Sequence, residues 1–142
     1  MTKTNMLYSI DVANNETRKF IGGNLENDIK YASIEDKSTD KSFLIVSVNV
    51  GSIAENLEFQ GLAHFLEHML FLGSKKYPDE SYFDEFVSKN GGYSNAYTDT
   101  YQTVYYFSVL NNSFEKSMDI FSRFFIDPLF DEKSVDREIN AI

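Results

Sequence analysis

The sequence predicts an α+β fold built on an antiparallel sheet. Three observations carry that prediction. Strand-like alternation or β-branched runs occupy residues 29–34, 43–50, 93–98 and 102–110, with a hairpin signature between the last two. Apolar residues at helical spacing lie elsewhere, around 61–72, 79–90, 112–127 and from 131 onward. The strand–helix–strand rhythm that builds a parallel sheet is missing.

Taken in order, the first signal is a turn at Gly22-Gly23-Asn24. Ile29, Tyr31 and Ser33 then alternate with Lys30, Ala32 and Ile34 as a strand does, and residues 35–41 form a charged turn. Residues 43–50 are the strongest strand, rich in β-branched side chains and ended by Gly51. A helix is expected over 61–72 with Gly73 as its C-cap. A second opens after Pro78, where Ser81 and Asp84 have the spacing of a capping box, and Gly91-Gly92 ends it. Its apolar face is Tyr82, Phe83, Phe86 and Val87. The hairpin of 93–98 and 102–110 turns near Asp99-Thr100. Asn112 is expected to cap a third helix with Glu115 at the box position, and Phe114, Met118, Phe121 and Phe125 fall on one face of it. Pro128 stops that helix. The last begins near Asp131 and carries Val135, Ile139 and Ile142 at helical spacing.

Length and composition bound the class. The 142 residues have room for one ordinary domain of about 100–150. A hydrophobic share of 42% and a charged share of 25% are globular values, which excludes collagenous, low-complexity and disordered chains. The longest apolar-rich stretch, residues 69–72, falls far short of the ~18 residues of a membrane span, so no membrane partner is expected. A net charge of −9 argues against a nucleic-acid partner and reads first as solubility. There is no cysteine and so no disulfide framework. Residues 1–15 lack the apolar core of a signal peptide, and a cytoplasmic location is the expectation. Thirteen Phe and nine Tyr without Trp predict a phenylalanine-rich core.

The chemistry-bearing pattern is His64, Glu67 and His68. The chain has two histidines, and they sit four apart, a spacing chance gives about once in seventy. On a helix, positions i, i+3 and i+4 share one face. Two neutral imidazoles so placed suit two zinc ligands at ~2.0–2.1 Å. A carboxylate beside them can take the proton of a water activated by the ion and pass it to a leaving amine. This is the His-x-x-Glu-His signature of inverzincins. Taken alone, the same five residues also describe a packed or solvated helix face.

Further motifs narrow the reading. The run GLAHFLEHMLFLGSKKYP at 61–78, with Gly51 ten residues ahead of it, resembles the active-site stretch of the insulysin/pitrilysin family of zinc metallopeptidases. GGYSNAYT at 91–98, DPLFD at 127–131 and DREINA at 136–141 resemble further segments of that family, in the same order. The resemblance runs from about Arg18 to the last residue and implies helices packed on one face of the antiparallel sheet.

It also implies roles. His64 and His68 would bind Zn2+ and Glu67 would be the general base. Glu138 would orient the histidine pair from behind it; without the family it reads equally as a solvent-facing helix charge. Asn95, Ala96 and Tyr97 would form an edge strand to which an extended peptide substrate adds by backbone hydrogen bonds; Asn95 otherwise reads as a turn residue. Phe71 would line a pocket for a substrate side chain, where the bare pattern reads as core. The third zinc ligand of the family is a glutamate about seventy-seven residues past the second histidine, near position 145. Residues 1–142 are therefore expected to be the N-terminal part of a single metallopeptidase catalytic domain, catalytically silent in isolation, with peptides and the remaining domains of the parent chain as partners. The alternative is a non-catalytic scaffold or partner subunit on the same fold.

Overall fold

A computed structural model describes residues 7–140. Residues 1–6, Ala141 and Ile142 lie outside the described residues, and with them the expected extension of the last helical stripe to Ile142. The chain divides into two compact units, Met1–Thr39 and Asp40–Ile142.

The first unit is a three-stranded antiparallel sheet of β1 (Leu7–Tyr8), β2 (Lys19–Asn24) and β3 (Lys30–Glu35), in that order. The expected turn at Gly22-Gly23-Asn24 is corrected here. These residues lie inside β2, with Gly22 opposite Ala32 and Gly23 opposite Tyr31. The reversal falls after them because polar side chains with local reach occupy the next positions. Asn27 Oδ1 accepts from the Ile29 amide, Asp28 adopts a left-handed φ of 66°, and the Leu25 amide closes the turn onto the Ile29 carbonyl at 2.8 Å.

The second unit carries His64, Glu67 and His68. Its sheet has β6 (Thr103–Leu110) in the centre, flanked antiparallel by β4 (Lys41–Val48) and β5 (Tyr93–Thr98). Four helices follow or interrupt the strands: α1 (Leu62–Leu70), α2 (Tyr82–Lys89), α3 (Phe114–Ile126) and α4 (Glu132–Ile139). The strand pattern dictates where the core sits. Tyr105, Phe107 and Val109 alternate on one face of β6 and are buried. Their register partners Leu44 and Val46 on β4, and Ala96 on β5, share that face and pack on the same cluster. Phe83 of α2 and Phe121 and Phe124 of α3 close over it, with Phe107–Phe121 ring centroids 5.1 Å apart and Phe83–Phe124 5.0 Å. The opposite face shows Phe43, Ile45, Tyr93 and Tyr97 to solvent. The result is the expected α+β arrangement with helices over one face of an antiparallel sheet.

Three local expectations change. Neither capping box forms: Ser81 and Ser113 are the residues at the two N-caps, and neither side chain caps its helix. Ser81 Oγ instead bonds Asp79 and Glu85, while Asp84 accepts from Ser94 on β5 at 2.5 Å. Asn112 lies in a short 3-10 turn ahead of α3. The buried stripe of α3 is Ser117, Ile120, Phe121 and Phe124, turned from the expected one, so Met118 and Phe125 are left 41% and 38% exposed. Phe125 keeps a ring contact with Tyr105 at the border of the core. In α4 the buried residue is Ser134, and Ile139 faces outward.

Burial differences on α3 make the corrected stripe measurable. Phe121→Ala is expected to cost about 3–5 kcal/mol in urea unfolding, as a fully buried phenylalanine does. Met118→Ala should stay within about 1 kcal/mol. Equal losses would restore the stripe read from spacing alone.

Candidate active site

Helix α1 begins at Gly61, whose φ of 89° lets the chain turn into the helix. Its first turn has no side-chain cap of its own. Glu55 supplies one from outside: Oε2 accepts from the Gly61 amide and Oε1 from the Ala63 amide, both at 2.8 Å. Those two amide bonds, Ala63 first, hold the Glu55 carboxyl below the usual glutamate range. The inward side of α1 is Met69 and Leu70, and Glu67 is buried beside them. Burying Met69 and Leu70 turns His64 outward and leaves His68 half-exposed at the mouth of a cleft.

The two imidazoles converge. His64 Nε2 and His68 Nε2 are 3.1 Å apart, with ring planes at 84°. With bonds of ~2.0–2.1 Å, nitrogens at that spacing subtend roughly 95–100° at a shared ion, an angle zinc accepts. The pair therefore fits two positions of a divalent metal site. Among the described residues, no group of three or more His, Cys, Asp or Glu is arranged to hold a metal ion. On its far side, His68 Nδ1 lies 3.2 Å from Glu138 Oε2. A proton on Nδ1 donated to Glu138 leaves the Nε2 lone pair free. Glu138 reaches this place because α4 is latched at Glu80, which pairs with Arg137 at 2.8 Å and accepts from the buried Ser134 hydroxyl. Asp131 caps the same helix, its carboxylate accepting from the Lys133 and Ser134 amides.

Glu67 is 7% exposed, and its Oε2 accepts a hydrogen bond from Thr98 Oγ1 at 2.6 Å. Burial of Tyr105 itself, and then the neighbouring Glu67 charge, push the Tyr105 hydroxyl up to about 12. Beside it opens a cleft of ≈ 330 Å³ in which Glu67, His68, Phe71, Asn95, Ala96 and Glu138 meet. Among the described residues, no lysine or arginine lines it. Phe71 is half-buried: it forms one wall of the cleft and also packs on Phe124 at 5.0 Å. Strand β5 runs along the cleft as an edge of its sheet. Asn95 and Tyr97 are exposed, and the Ala96 amide donates to Asn95 Oδ1 at 2.9 Å, not to the neighbouring strand. An amide so placed faces the open side of the edge.

Thus His64, Glu67, His68, Phe71, Asn95, Ala96 and Glu138 are brought together, with Tyr97 on the same strand. The sequence missed two residues that hold them. Period-two alternation puts Thr98 on the face of Ser94 and Ala96, but says nothing of Glu67 above it. Glu55 stands six and eight residues before the amides it caps, a span no capping pattern covers.

Solved structures share this fold. The pitrilysin crystal structure aligns with a TM-score of 0.91 and 33% identity, covering 97% of this chain and 15% of that one. A Helicobacter pylori protease aligns at 0.80 and 27%, covering 87% and 30%. A family model described as insulinase (peptidase family M16) matches residues 30–142, and the chain belongs to that family. The human insulin-degrading enzyme is 46% identical over 127 residues, 89% of this chain and 12% of that protein. The Dictyostelium discoideum insulin-degrading enzyme homolog is 45% identical over 128 residues, 90% and 13%. A Schizosaccharomyces pombe relative whose name contains "zinc protease" is 43% identical over 131 residues, 92% and 14%. The chain thus spans 12–14% of the length of these relatives. Among the described residues, no helix is long and apolar enough to cross a membrane.

The Glu55 cap is titratable. Its folded pKa lies below the unfolded value, so its bonds stabilise the chain at neutral pH, and that stabilisation is lost as pH falls below about 4.3. Glu55→Gln should lower the urea midpoint at pH 7, and the gap to the parent should narrow as pH is lowered below about 4.3. A gap independent of pH would show that the charge on Glu55 is irrelevant to the cap.

Proposed function

We propose that this chain is the metal-binding part of a zinc-dependent metalloendopeptidase that hydrolyses extended peptides. The observation that carries the proposal is the convergence of two imidazole Nε2 atoms beside a buried carboxylate, along the free edge of β5. Family membership and a relative named for zinc support it.

Each residue then has a defined task. His64 and His68 hold the ion through Nε2, and a third ligand is proposed near position 145. Zinc, when bound, supplies Lewis-acid activation of water and of the scissile carbonyl. Glu138 keeps the His68 proton on Nδ1, so that Nε2 offers a lone pair. Glu67 receives a proton at Oε1, the oxygen that Thr98 does not occupy, and returns it to the leaving amine. Its burial excludes competing water and strengthens the charge it presents. Asn95, Ala96 and Tyr97 align the peptide by main-chain hydrogen bonds, which read no particular sequence. Phe71 offers an apolar wall to one substrate side chain.

In the full-length protein, Glu67→Gln should reduce hydrolysis of a quenched peptide by ~10²–10⁴-fold or more with zinc per chain unchanged. His68→Ala should lose zinc and activity together. Near-normal turnover in Glu67→Gln would remove the carboxylate from the mechanism and revive a scaffold role for the fold.

The edge strand has its own test. Because the Ala96 amide faces outward, Ala96→Pro removes a donor to the peptide without removing a ladder bond to β6. Cleavage should weaken by about three- to tenfold, the worth of one backbone hydrogen bond. A fall in thermal stability with unchanged cleavage would place the peptide elsewhere.

A further inference from the structure

We propose that Thr98 is a positioning residue for the reaction: its hydroxyl holds Oε2 of Glu67 and thereby aims Oε1 at the face shared by His64 and His68. The inference rests on the reading of Glu67 as general base. A glutamate carboxylate turns about its last torsion in a broad, roughly two-fold well. An unrestrained Glu67 would present its free oxygen over a wide arc. At 2.6 Å, the Thr98 bond lies in the short range of a hydroxyl donating to a carboxylate, the stronger class of hydrogen bond. Among the described residues it is the hydrogen bond recorded on Glu67, and Glu67 is 7% exposed.

The hydroxyl is itself held by the backbone. Thr98 is the last residue of β5, opposite Thr103 of β6, and the turn between them is closed by Asp99 N to Gln102 O at 2.8 Å. That turn is clamped from the other side. Ser52 and Ile53 donate to the Asp99 and Thr100 carbonyls at 3.1 and 3.0 Å, and the Thr103 hydroxyl donates to Val50 O at 2.9 Å. Thr98 also shares its face of β5 with Ala96. One strand therefore carries both the proposed peptide edge and the group that aims the base. A peptide seated on β5 is placed relative to the proton acceptor by two residues of backbone.

A threonine that merely satisfied a buried carboxylate would matter for stability alone, and the two roles separate experimentally. In the full-length, zinc-loaded protein, Thr98→Val should lower kcat by about tenfold or more, with KM within about twofold and zinc per chain unchanged. Thr98→Ser, which keeps the hydroxyl, should restore kcat to within about threefold. Should the valine variant fail to fold, Thr98→Cys, with a weak S–H donor in place of the hydroxyl, should give an intermediate kcat. A crystal structure of zinc-free Thr98→Val should show the Glu67 carboxylate turned from its parental plane, and that of Thr98→Ser should not. Unchanged kcat in Thr98→Val or Thr98→Cys, or a carboxylate that keeps its plane, overturns the proposal. Glu67→Gln measured alongside separates the two readings. If it is inactive while Thr98→Val turns over normally, the Thr98 proposal alone fails. If it is active, the base reading fails and takes the Thr98 proposal with it.

Discussion

The close approach of the backbone at Gly51 to the turn of the β5–β6 hairpin is the constraint on which the site depends. A Cβ at position 51 would lie 2.2 Å from the Asp99 carbonyl oxygen and 2.7 Å from the Gln102 amide nitrogen, so no larger residue fits without moving backbone. From that contact the chain runs through a short 3-10 turn to Glu55, whose carboxylate takes the first amides of α1. A stretch of five residues thus grips the hairpin end on one side and the helix start on the other. The 2.6 Å bond between Thr98 and Glu67 joins the two gripped elements directly. Loosening at Gly51 would reach the carboxylate by two routes.

The phenylalanine layer supplies the second half of the geometry. Phe83, Phe107, Phe121 and Phe124 interlock at centroid distances of 5.0–5.7 Å, which fixes α2 and α3 over the sheet. Helix α1 meets this layer with Leu70 and, just past its end, Phe71. Gly73, at φ 88°, then folds the chain back so that Ser74 bridges Pro128 and Lys75 bonds Asp127. The segment after α1 is thereby tied to the segment that leads into α4, the helix that brings Glu138 to His68. The motif at 127–131 is distant in sequence from the histidines, yet it sets where their carboxylate partner stands.

How much of this was legible in the sequence follows from the range of each interaction. Strand β4, the hairpin and the face shared by His64, Glu67 and His68 are local periodicities, and all are found, β4 two residues earlier in the chain than the 43–50 read from the pattern. The Ser81 box failed because both its side chains found other partners: Ser81 turns to Asp79 and Glu85, and Asp84 is drawn to Ser94 across the gap from α2 to β5, a bond no i, i+3 rule contains. The stripe of α3 was misplaced because Phe114, Met118, Phe121 and Phe125 are all large and apolar, and spacing cannot rank them. The sheet ranks them, by choosing the side where Phe124 meets Phe83. Thr98 and Glu55 were invisible for the same reason. Each acts on a partner in another element, and nothing around either residue marks it as a donor or a cap.

The charges at the cleft complete the argument. Glu67 and Glu138 both line the cleft beside His68, Glu138 at 3.2 Å from its Nδ1, and among the described residues the cleft wall holds no lysine or arginine. Two carboxylates thus stand beside two imidazoles whose Nε2 atoms lie 3.1 Å apart. Neighbouring like charges in a half-buried setting repel one another unless a cation stands between them or hydrogen bonds hold them apart. Thr98 does this for one carboxylate, and His68 with the more distant Arg137 at 3.6 Å does it for the other. Under the proposed reading the two carboxylates favour a divalent cation at the one place where both imidazoles can bind it, beside the edge on which the peptide lies.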